Sequence, residues 1–306
     1  MKFDLGAHIG HSPVTSSISK LAPYSALILS IVLVVLFLIR FYILQRFLLE
    51  KLHGSIYTQM NDINRRSFLN HYIAGAAKLT TLIIALYPFL SVTFGTAYFH
   101  TPYAHGSRVT MGDLLLVAAQ IFTGMFIFEL IYRVKISPVS VVHHIASIMV
   151  VQAAITISIE GDPESSLLFL LITVWGKQIF IDFISRTGDV TVILIRTHTG
   201  TFDFIFELFP HVALILYRVY PTSHLFLASV FKFTFITTIV GTILETILVM
   251  YMFGILWDRW PLAFKISTPI LHVTLSIAQL HGSRIFYTIW RKQEQKQLNV
   301  ERDCEK

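Results

Sequence analysis

The sequence predicts an all-α, polytopic membrane bundle of about seven transmembrane helices, and three observations carry that expectation. First, 54% of its 306 residues are hydrophobic and only 14% are charged, with a mean hydropathy of +0.66; soluble domains carry about 25% charged residues. Second, some seven apolar stretches run for about 20 residues or more, each long enough to cross ~30 Å of hydrocarbon as a helix. Third, these stretches lack the strict in-out alternation of membrane barrel strands, so a closed barrel is excluded.

The elements follow in order. Helices are expected near 24–47, 72–95, 112–133, 138–158, 166–219 (interrupted), 224–256 and 264–290. Turn chemistry separates several of them: Tyr98 to Gly106 with Pro102, Gly161-Asp162-Pro163, Pro221-Thr222-Ser223, and Asp258-Arg259-Trp260-Pro261. The first stretch is too long for a signal-peptide core and no small-residue cleavage site follows it, so it reads as a retained helix. No internal repeat or soluble domain is expected.

Charge sets the orientation. Arg46, Lys51, Arg65 and Arg66 follow the first helix, Arg133 and Lys135 follow the third, and Arg291, Lys292, Lys296, Arg302 and Lys306 fill the tail. The turn after the fourth helix holds only Glu160, Asp162 and Glu164. Seven crossings place the basic segments together in the cytosol, with a luminal N-terminus. The formal charge of +6 is scattered at helix ends, which argues for topology and against a nucleic-acid partner. The single cysteine, Cys304, excludes an intrachain disulfide. There is no Asn-x-Ser/Thr glycosylation acceptor.

Two consecutive histidines, His143-His144, stand out five residues into an apolar helix that opens at Ser137-Pro138. Ionisable groups in hydrocarbon are costly and mark function by default. Adjacent positions point ~100° apart, so one imidazole is expected to pack and the other to work. Under the seven-crossing scheme His143, His144, Glu129, Glu207, His211, Lys232, His281 and Arg284 fall at a similar, cytosolic depth, which implies one polar chamber fed by five helices. Duller roles compete: Glu129 with Arg133 as an interfacial ion pair, Arg218, Lys232 and Arg284 as snorkelling cations, His211 and His281 as interhelical hydrogen-bonding groups. Glu245 and His272 read as packing or pathway residues. A metal site is not expected, because the pair lacks i,i+4 spacing. A serine-hydrolase elbow is absent. Lys265, at the start of the last helix, is misplaced for a retinal linkage. Acyl transfer fits more easily, with one imidazole as general base on an amine or hydroxyl.

Several of these segments resemble the TLC domain shared by ceramide synthases and translocating-chain-associated proteins. The resemblance runs from Gly112-Asp113 through Phe128-Glu129-Leu130-Ile131-Tyr132-Arg133, then Ser137-Pro138 and His143-His144-Ile145-Ala146-Ser147-Ile148. Glu207-Leu208-Phe209-Pro210-His211 through Arg218, and Thr268-Pro269 through Gln279-Leu280-His281-Gly282 to Lys292, are similar to its later helices. The resemblance implies a six-helix core plus an N-terminal helix, divided as follows. Residues 1–71 are the luminal N-terminus, first helix and basic cytosolic loop, 72–292 the TLC-like domain, and 293–306 a polar cytosolic tail. It further implies an endoplasmic-reticulum protein of sphingolipid or acyl-lipid metabolism, with His143 and His144 as catalytic candidates. Glu129, Glu207, His211 and His281 would support them.

No bound cofactor is implied; acyl-CoA is the expected co-substrate. Membrane lipids, and a homo- or hetero-oligomer, are the expected partners. The alternative is a non-catalytic lipid-binding, sensing or trafficking protein. It draws support from a departure: residues 160–175 lack the two aspartates, three apart, that ceramide synthases carry after the His pair. The chain is in this respect closer to fungal-type TLC proteins of undefined activity. A seven-helix receptor is weaker, for want of an extracellular disulfide pair. In such a domain one span would join Thr173-Val174-Trp175-Gly176 to Thr201-Phe202-Asp203-Phe204, which makes about 177–199 an insertion or a translated intron.

Overall fold

A computed structural model describes residues 19–93, 96–159, 199–255, 257 and 262–304. Within them the chain forms seven long helices. These are α1 (Ala22–His53), α2 (Asp62–Thr93), α3 (Met111–Tyr132), α4 (Pro138–Ile159), α5 (Thr199–Val219), α6 (His224–Ile255) and α7 (Leu262–Cys304). No strand occurs among the described residues. Four helices, Ala22–His53, Asp62–Val92, Met111–Tyr132 and His224–Ile247, are long and apolar enough to cross a membrane, and Pro138–Ala153 and Leu208–Val219 are shorter apolar helices. The chain is an all-α membrane bundle.

Local chemistry fixes the ends. Asn61 Oδ1 accepts from the Asn64 amide at 2.9 Å and so caps α2, while Asp62 pairs with Arg65 and Arg66. Thr110 and Asp113 form a reciprocal capping box at the start of α3. Ser19 Oγ also donates to Asp113 Oδ1 at 2.6 Å, which ties the entry of α1 to that cap. Ser137 Oγ accepts from the Ser140 amide at 3.1 Å, and Pro138 takes the first helical position, where its missing N–H costs nothing. Gly54, at φ +49°, ends α1 in a conformation that side chains disfavour.

Two boundaries differ from the sequence expectation. The second helix starts at Asp62, not 72, because Phe68, Leu69 and the polar Asn70 and His71 are all buried in helical register before the apolar run begins. The last helix runs on to Cys304, through the charged segment expected to be a tail, and is pinned there by His224 Nδ1 and Gln293 Oε1 at 2.7 Å. The segment 160–198 lies outside the described residues, and with it nearly all of the expected insertion at 177–199 and the acidic turn.

Packing arranges α2 to α7 as a closed ring in the order α2, α3, α4, α7, α6, α5, each helix against its two neighbours, with α1 laid outside on α3. Only 11% of the apolar window of α1 is buried, against 56% for α3, so α1 is the peripheral helix. It can approach α3 closely because Gly124 has no side chain; a Cβ there would lie 2.7 Å from Val32 Cγ1. Among the described residues, six helices close the ring and α1 lies outside it. Helix ends bearing Arg65, Arg66, Arg133 and Arg218 gather at one end of the ring, the basic end. Arg218 staples it: its two terminal nitrogens donate to the Asn64 carbonyl and Ser67 Oγ, each at 3.0 Å.

Candidate functional site

The basic end holds a buried polar centre built by four helices. Glu129 lies three residues before the end of α3, and His144 six residues into α4, about 9 Å along its axis. The short link 133–137 reverses the chain so that these two positions face each other. Glu129 Oε2 sits 2.8 Å from His144 Nε2, with both side chains almost wholly buried. The oxygen lies off the line of the N–H, so the contact is a close carboxylate–imidazole approach rather than a straight hydrogen bond. Asn70 Nδ2, on α2, donates to the other carboxylate oxygen.

The imidazole of His144 is steadied by the ring of Phe126, 4.7 Å between centroids. A carboxylate beside Nε2 favours the proton there and leaves Nδ1 with a lone pair. That Nδ1 is buried and has no hydrogen-bond partner. A buried, carboxylate-supported imidazole with an unpaired, unprotonated nitrogen is equipped to accept a proton. His143 is half-buried, edge-on to Phe126 at 5.8 Å.

A second group adjoins the first through the consecutive residues Asn70 and His71. Lys78 Nζ is 3.1 Å from His211 Nε2, and His211 Nδ1 is 3.1 Å from His71 Nδ1. Hydrogen-bond inventory gives this chain a direction. An ammonium only donates, so His211 Nε2 accepts; the neutral ring then carries its proton on Nδ1 and donates to His71. The proton of His71 is left on Nε2. Asn70 holds Glu129 and the next residue, His71, meets His211, so the two groups are neighbours on α2.

Of the residues expected from sequence, the structure thus joins Glu129, His144 and His211. It does not join His281, which corrects the five-helix chamber. His281 is exposed, two residues and so ~200° around α7 from buried Ser283. Arg284 is likewise exposed, and Lys232 turns outward over Trp290, 5.5 Å from the ring centre. The Glu207 side chain lies outside the described residues. Sequence reasoning missed Asn70, His71 and Lys78. The available signal was Lys78 itself, a lone cation inside an apolar run, about two turns along the face from the Asn70-His71 pair. Among the described residues no three His, Cys, Asp or Glu side chains converge as metal ligands.

Comparison with protein-family models, curated proteins and solved structures finds no match to this chain.

Proposed function

We propose that this integral membrane protein acts in lipid metabolism as an acyltransferase, with the Glu129–His144 pair as its general base. The TLC resemblance supplies the reaction class: transfer from acyl-CoA to a long-chain amine in the endoplasmic reticulum. What supports it physically is one observation, the buried 2.8 Å contact that leaves His144 Nδ1 without a partner.

In the proposed step the amine nitrogen attacks the thioester carbonyl and its proton passes to His144 Nδ1. The negative charge of Glu129 stabilises the imidazolium so formed. Collapse of the tetrahedral intermediate breaks the C–S bond, and the departing thiolate takes the proton, giving amide and free thiol. The His71 Nε2–H, polarised through His211 by Lys78, offers a donor within the same site for negative charge developing on the carbonyl oxygen. Basic side chains at this end suit the phosphates of a nucleotide carrier, in keeping with a cytosolic orientation.

The second reading, a non-catalytic lipid-binding protein, is favoured by the lack of paired aspartates in 160–175. One assay separates them: purified protein in nanodiscs, given acyl-CoA and a sphingoid base. Amide formation that is lost on His144→Ala supports the enzyme. A co-purifying lipid without turnover supports the binding protein.

A further inference from the structure

A separate set of polar groups lies on the seam between α6 and α7, away from the basic end. His272 is ten residues into α7, about 15 Å along its axis from the opposite end, and only 4% exposed. Its Nε2 lies 3.2 Å from Thr246 Oγ1 and 3.3 Å from Ser276 Oγ. Thr246 spends its own proton on the Thr242 carbonyl, at 2.7 Å. It can therefore only accept from His272, which places the imidazole proton on Nε2 and leaves Nδ1 as a bare acceptor. That Nδ1 is buried and has no donor.

Two turns further along the same face, Gln279 repeats the pattern. Its Nε2 donates to Glu245 Oε2 at 2.8 Å, and its Oε1 is buried without a donor. Buried acceptors in this state are costly, and two of them on one helix face call for a molecule that brings donors. Thr246 ends a threonine ladder on α6: Thr234, Thr238, Thr242 and Thr246 recur every four residues, each bonded back to a carbonyl of the preceding turn. The ladder uses up its own protons and so presents only acceptor oxygens.

We infer that this seam is a second lipid site, which binds the hydroxyl group of a membrane lipid through His272 Nδ1. A hydroxyl matches the chemistry better than a cation does. The groups around Nε2 are neutral, and the nearby carboxylate of Glu245 is engaged by Gln279. A desolvated ammonium beside His272 would lack a counter-charge at that point. The site stands independently of the proposed acyl transfer, because none of its residues belongs to the basic-end centre.

The test uses the full chain in nanodiscs and two probes that differ only in the donor: tritiated 1-hexadecanol, and hexadecyl methyl ether as competitor. The alcohol should bind saturably, and the ether should compete about fivefold or more weakly, the loss expected for one hydrogen bond. His272→Phe should weaken alcohol binding by a similar factor and erase the alcohol–ether difference. Thr246→Val, which frees the imidazole to change tautomer, should act in the same direction. Non-saturable alcohol uptake, or equal competition by the ether, would overturn the site and point to water as the missing donor. Both outcomes are read on the wild-type chain, so they stand even if a variant fails to fold.

Discussion

Glu129 and His144 meet at 2.8 Å across the interface of two consecutive helices, buried together at the basic end of a six-helix ring. The first consequence concerns charge. Glu129→Gln keeps the shape and leaves an amide for Asn70, but removes the charge that steadies a protonated imidazole. Acyl transfer should fall by about 10²–10³, within the usual range for a positioned acid–base group. Initial rates with saturating acyl-CoA check this; a fall below threefold would remove Glu129 from the proposed mechanism.

The Lys78–His211–His71 chain predicts a stability effect. Lys78→Met leaves His211 Nε2 buried without its donor, at a cost of about 1–3 kcal/mol. His211→Leu removes the other member of that contact but also takes the donor from His71, so the double variant Lys78→Met/His211→Leu should lose less than the two single losses added, a coupling that independent sites would not show. Thermal unfolding in a fixed detergent measures both, and strict additivity would argue that the two residues do not interact.

Close approach at Gly124 predicts how α1 is held. Gly124→Ala sets a methyl 2.7 Å from Val32 Cγ1 and should loosen α1 from α3. Val32→Ala should restore the fit in the same chain. Disulfide trapping between cysteines placed on α1 and α3 reports the docking: efficiency should drop in the single Gly124 variant and return in the double.

At the other end of α3, Thr110→Ala removes the helix cap and should cost about 1 kcal/mol. Asp113→Ala should cost more, since it also frees Ser19 Oγ. Equal melting temperatures for the two variants would show that the Ser19 contact adds nothing.

Much of the bundle is written in the apolar runs, because hydrocarbon admits only helices whose backbone bonds close internally. Ser137-Pro138 marked the start of α4 to the residue, since capping is a local property. The start of α2 was hidden for the opposite reason. Asn70 and His71 are polar yet buried, and hydropathy assigns such residues to a loop. Glu129 and His144 were legible as ionisable groups in apolar helices, but their contact depends on which helix faces which. For His281 depth alone misled: the sequence places it near the level of the centre, but its rotation about α7 leaves it exposed. The ring order, which brings α5 against α2 and so His211 to His71 and Lys78, follows from packing that no single stretch of sequence encodes.

The most direct measurement is a double-mutant cycle on acyl transfer with His144→Ala, Glu129→Gln and the combined variant, with His143→Ala alongside. The account predicts large and nearly equal losses for all three members of the cycle, because Glu129 acts through His144, and a much smaller loss for His143→Ala. Turnover retained in His144→Ala, or a loss in His143→Ala as deep as that in His144→Ala, would contradict it.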